Sequence, residues 1–159
     1  MSNKNLYRAA ERALYRYQEH KRTVEMYEAR CMRCQKPQSE TGIRSSYRSD
    51  PTARGAIMMT ERPPEVREAA LWIWAVETAW AEMVTYYPPR ARLMEVYYGL
   101  NNVNGRERDK ATETRLNIQE ELSVEQATFY RWKNDVVDAV IHAGIQCGAL
   151  LPYKVKAPV

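Results

Sequence analysis

The sequence predicts an all-α protein with a long N-terminal helix, a central tryptophan-rich helix and a C-terminal helix-turn-helix. Three observations predict it. Residues 3–35 run without a single Gly or Pro, as a long helix requires. Residues 65–87 carry apolar side chains almost all round a helical wheel, the pattern of a buried helix. Residues 115–134, RLNIQEELSVEQATFYRWKN, place Ile118, Leu122, Val124, Phe129 and Trp132 where two short helices and a tight turn bury a shared seam.

The whole chain sets bounds on what these elements can do. At 159 residues, 45% hydrophobic and 28% charged, it has the balance of a globular protein with one ordinary core. No apolar run approaches the ~18 residues of a membrane span, and residues 1–5 lead directly into a charged helical pattern, so a cytoplasmic protein with no membrane partner is expected. Three cysteines cannot all pair within one chain, which fits a reducing compartment. The net charge is +4, with 13 Lys and Arg against 7 Asp and Glu in residues 1–62 and 11 against 13 in the remainder. Such an excess is compatible with a nucleic-acid partner.

Residues 1–35 are read as one basic helix of about nine turns, an arm for oligomerisation or DNA contact. Its heptad frame has Ala10, Tyr17, Val24 and Cys31 at one set of seam positions and Leu6, Ala13, His20, Tyr27 and Cys34 at the other. The seam is weak for a coiled coil, because Ala, His and Cys replace Leu and Ile; it can serve another helix of the chain or a second copy. Residues 36–64 change character. Pro37, Gly42, Pro51, Gly55, Pro63 and Pro64 interrupt any long helix, leaving a linker with a short helix near residues 53–59. Its Arg44, Arg48 and Arg54 are candidates for DNA backbone contact, against the plainer reading of a solvated linker.

Residues 65–152 form the expected helical core. Pro64 suits a first helical turn and Pro88 closes the segment. Trp72, Trp74 and Trp80 are read as packing residues rather than a stacking platform for single strands. Residues 90–99 make a short helix with Leu93, Val96 and Tyr97 inward and Gly99 as its left-handed cap. Residues 100–111 are a polar loop containing Asn104-Gly105, after which Thr112 or Thr114 caps the next helix. That helix carries Leu116, Ile118 and Leu122.

At the turn, Ser123 is expected as N-cap, with Gln126 completing a Ser-x-x-Gln capping box. With Val124, Phe129 and Trp132 inward, Gln126, Ala127, Tyr130, Arg131 and Asn134 face outward, the face a recognition helix lays in the major groove. Gln126 and Arg131 are the best base readers, an amide matching adenine and a guanidinium matching guanine. Thr128, Tyr130 and Lys133 suit phosphate. The competing reading is an ordinary helical hairpin. Two positions depart from the usual motif: Gln119 stands where a small residue is customary, and Ser123 where Gly is. The second helix continues through Val136, Val137, Val140, Ile141 and Ile145 until Gly148 and Pro152 end it, and residues 153–159 are a short basic tail.

Other chemistry finds little support. Cys31-x-x-Cys34 is a weak metal candidate, because no second close pair of Cys or His follows. Reduced thiols packing as small apolar groups is the simpler account. There is no P-loop, Gly-x-Gly-x-x-Gly, Gly-x-Ser-x-Gly or paired-His motif, so no enzyme and no cofactor is expected. Acidic residues read as helix-surface partners of Arg and Lys, Glu19 with Arg22 among them.

The order of elements also resembles a family. The basic helix, a Ser/Gly/Arg loop closing on Thr60-Glu61, a central helix, Leu93-Met94-Glu95-Val96-Tyr97-Tyr98 and then Leu122-Ser123-Val124-Glu125-Gln126-Ala127-Thr128-Phe129-Tyr130-Arg131 look like the phage late-gene transcriptional activators of the ArpU and RinA type. Their C-terminal part is similar to region four of sigma factors, where a helix ending in Tyr-Tyr precedes the helix-turn-helix. Residues 93–98 and 118–132 carry the specific part. The resemblance implies a sigma-like, all-α DNA-binding activator in a bacterial host cell, with Glu125, Gln126, Ala127, Thr128, Tyr130, Arg131 and Asn134 at recognition positions. The polar insertion of residues 101–110 departs from it.

These readings converge on a dimeric regulator that reads double-stranded DNA. Two alternatives are a ring-forming small terminase subunit of a DNA-packaging machine and an adaptor that binds a host protein such as RNA polymerase without touching DNA.

Overall fold

The computed structural model describes residues 3–35, 62–101 and 111–150, and their secondary structure is helical with no strand among them. Six helices occur among these residues: α1 (Asn3–Tyr15), α2 (Tyr17–Gln35), α3 (Pro64–Tyr86), α4 (Pro88–Tyr97), α5 (Ala111–Glu121) and α6 (Gln126–Cys147). None is long and apolar enough to cross a membrane. The linker arginines Arg44, Arg48 and Arg54, the expected helix at residues 53–59, Pro152 and the tail lie outside the described residues, as does most of the insertion.

The expected nine-turn helix is divided at Arg16. The backbone ladder continues across the division, with Arg16 N–H donating to Arg12 C=O (3.0 Å) and His20 N–H to Arg16 C=O (2.9 Å). What changes there is the neighbour: α1 lies on α6, whereas α2 lies on α3. The first part of the heptad seam is thereby used within the chain, since Ala10, Ala13 and Tyr17 are buried in the common core, together with Leu14 beside them. Glu19 takes Arg16 as its partner, with both carboxylate oxygens 2.7 Å from the guanidinium.

The central helix is α3, which packs against α2 and α6 and also meets α4. Pro64 stands at its start, and the chain turns at Tyr87 before Pro88 opens α4. Its buried residues Trp72, Ala75, Val76, Ala79 and Met83 follow the spacing of a single helical face, and the alanines let both neighbours approach closely. Burial all round the helix is corrected by the structure: Trp74 is 46% and Tyr86 70% exposed. Trp80 is only partly buried and donates its indole N–H to Glu95 Oε1 (3.2 Å). A helix packed through one face leaves the opposite face to solvent.

Helix ends follow local chemistry where glycine is present. Gly99 (φ 69°) and Gly148 (φ 81°) take the left-handed conformation just beyond α4 and α6, which costs glycine nothing in sterics.

Candidate nucleic-acid interface

The turn between α5 and α6 is built differently from the expected capping box. Ser123 has φ 51°, the one non-glycine residue with positive φ among those described. Its N–H donates to Glu120 C=O (3.1 Å), and the Val124 N–H reaches back to Gln119 C=O (3.0 Å). This pair of bonds closes α5 in a Schellman motif, with Ser123 in the left-handed position that glycine usually holds. Ser123 therefore ends α5 instead of starting α6. The residue before α6 is Glu125, extended at φ −70° and ψ 155°, with no side-chain cap bond, so the second helix starts two residues later than expected. Its carboxylate still sits at the positive end of the helix dipole.

The first helix of the motif begins at Ala111, ahead of both threonines proposed to cap it. Ile118 is buried, but Leu116 is 51% exposed and not part of the seam. α5 rests on α4 rather than across α6, and an Arg92–Glu121 ion pair (2.9 Å) joins the two. The tight helix crossing that calls for a small side chain at position 119 is therefore absent, and Gln119 is half-buried.

Aromatic packing fixes where α6 begins its exposed run. Phe129, at 0% exposure, meets the Tyr97 ring edge-on with centroids 5.3 Å apart, and Tyr98 packs T-shaped on Tyr97 at 4.8 Å and on Tyr15 at 5.0 Å. The Tyr-Tyr end of α4 is thus the seat of α6. At the other end of α4, Arg90 stacks on Tyr87 at 4.3 Å and bonds Asp135 of α6 at 2.9 Å. Two fixings at opposite ends of α4 hold α6 against rotation about its axis.

Glu125, Gln126, Ala127, Tyr130, Arg131 and Asn134 are exposed, while Thr128 is half-buried. Tyr130 keeps its ring edge-on to Phe129 at 5.6 Å, and Asn134 accepts a hydrogen bond from the Tyr7 hydroxyl at Oδ1 (3.0 Å). Trp132 and Val124 are partly buried against the core, as the seam requires.

Lys133, expected at a phosphate, is turned inward. Its ammonium lies 2.6 Å from Glu11 Oε1, and both side chains are only 17% exposed. Burial lowers its pKa, but the hydrogen bond to Glu11, with Tyr97 close by, outweighs that and moves the group upward. A lysine so paired does not reach a duplex laid along α6. Sequence reasoning missed Tyr7 and Glu11, which hold this flank; their i, i+4 spacing was visible, but the helix they face was not.

Cys31 is fully buried on α2, and the side chain of Cys34 lies outside the described set. Among the described residues no group of three or more His, Cys, Asp or Glu side chains gathers as a metal site would need. No protein-family model, curated protein or solved structure matches the chain.

Proposed function

We propose that this chain is a sequence-specific, double-stranded DNA-binding transcriptional regulator of the phage late-gene activator type, with α6 as its recognition helix. One observation carries the reading. α6 exposes Ala127 and Arg131 on the side opposite Phe129, which anchors the same turns at 0% exposure, and Glu125 and Gln126 are exposed where the helix starts. A groove-reading helix needs both properties, side chains that reach base edges and a backbone that cannot roll when they do. Gln126 and Arg131 supply the adenine and guanine pairings, and Glu125 can accept from cytosine. The Tyr-Tyr helix under the motif adds the element order of the sigma-like activators. A homodimer belongs to the proposal, since a second copy doubles the base contacts one short helix can make.

The test is fluorescence anisotropy on labelled duplexes from upstream phage DNA. Replacing Arg131 by Ala should cost about 1–3 kcal/mol on the preferred site and relax its sequence preference. Full affinity and unchanged preference in that variant would remove α6 from the reading role.

A further inference from the structure

α1 carries a stripe of cations that α6 does not use. Lys4, Arg8 and Arg12 are spaced four residues apart, which sets them on one face with about 6 Å of helix rise between successive positions. All three are exposed, and none makes an ion pair among the described residues. That sets them apart from Arg16, Arg62, Arg90, Arg92 and Lys133, each of which has a carboxylate within 3.4 Å.

The stripe borders the contact between α1 and α6. Tyr7 and Glu11, which hold Asn134 and Lys133, follow Lys4 and Arg8 by three residues each. One edge of α1 therefore lies on the flank of α6, and the next edge outward carries the cations. Glu11 is the single acidic residue of α1, and Lys133 neutralises it. What remains is a helix face with positive charge alone, alongside the helix that presents Arg131.

We propose that Lys4, Arg8 and Arg12 form the phosphate anchor of the protein, gripping the sugar-phosphate backbone of the duplex whose groove edge α6 reads. The inference rests on the DNA-binding reading and adds a division of labour to it. α6 discriminates between sequences, and α1 supplies salt-sensitive affinity. Lys133 contributes indirectly, by neutralising the one acidic residue of α1.

The experiment measures the salt dependence of anisotropy on a mixed-sequence duplex of about 30 base pairs, three helical turns, for four full-length proteins. These are the wild type, the triple variant K4A/R8A/R12A, the double variant R30A/R33A on α2, and R131A. Circular dichroism confirms that each retains its helices. Each lost phosphate contact lowers the log–log salt slope by about 0.9, so the triple variant should lose about 2.7. Its relative preference among sequences should be unchanged, and the α2 variant should keep the wild-type slope. A triple variant with the wild-type slope, or an α2 variant with an equal loss, overturns the anchor while leaving DNA binding intact. A wild-type protein with no salt-dependent binding overturns the DNA reading and the anchor with it.

Discussion

The turn between α5 and α6 lends itself to a stability experiment that separates two geometries. If Ser123 were the N-cap of α6, Ser123→Ala would cost about 1 kcal/mol and Ser123→Gly a few tenths. The structure places Ser123 at φ 51° after α5, where a residue with a Cβ pays about 1–2 kcal/mol that glycine does not. Glycine gives back about 0.5–1 kcal/mol through the greater freedom of its unfolded chain. The net expectation for Ser123→Gly is a gain of about 0.5–1 kcal/mol. Ser123→Ala should fall within about 0.5 kcal/mol of wild type, because no cap bond is lost and the residue is exposed. With a urea m-value of about 2 kcal/mol/M, the glycine variant should move its unfolding midpoint up by about 0.25–0.5 M at constant m. A midpoint lowered by glycine, and lowered further by alanine, would refute the left-handed assignment and restore the capping box.

Two further perturbations follow from the core beneath the motif. Phe129→Ala removes a ring at 0% exposure and should cost about 3–5 kcal/mol in denaturant unfolding, whereas Ala127→Ser on the exposed face should be nearly silent. Tyr98→Phe should do the reverse of harm. The Tyr98 hydroxyl is buried with no hydrogen-bond partner among the described residues, so removing it should stabilise by about 1 kcal/mol. Burial also raises the Tyr98 pKa well above 10.0. The unfolded chain then releases its proton at a lower pH than the folded one, so this contribution is complete below about pH 10 and fades as pH rises beyond it. Tyr98→Phe should flatten that alkaline loss in a series of thermal melts. Tyr17, whose pKa is raised by burial and then by its hydrogen bond to Glu77, contributes to the remainder. So do Tyr7, raised chiefly by burial, and Lys133, raised against the effect of burial by its hydrogen bond to Glu11.

Much of the fold was legible because its signals are local. Pro64 and Pro88 bracket α3, Gly99 and Gly148 close α4 and α6, and the period of Phe129, Val136, Val137 and Val140 shows which face of α6 is buried. The errors have a common form. Leu116 and Trp74 are apolar residues at plausible seam positions, yet both are exposed. Periodicity selects a face but does not say how far a neighbouring helix extends along it. Ser123 fits two caps equally well by composition, and the choice was made by where the carbonyls of Gln119 and Glu120 point once α5 has formed.

By itself, then, the sequence determined that the protein is helical, where most helices stop, and that Gln126, Ala127 and Arg131 share an outward face, since backbone sterics and the 3.6-residue period act within a few residues. Only the tertiary structure decided which cations stay available. Tyr7 and Asn134 meet across 127 residues of sequence, and the same docking of α1 on α6 pairs Glu11 with Lys133. It turns Lys133 from an expected phosphate contact into a structural ion pair and leaves Lys4, Arg8 and Arg12 facing out. Electrostatic partnership depends on distance in space, and no spacing along the chain encodes it.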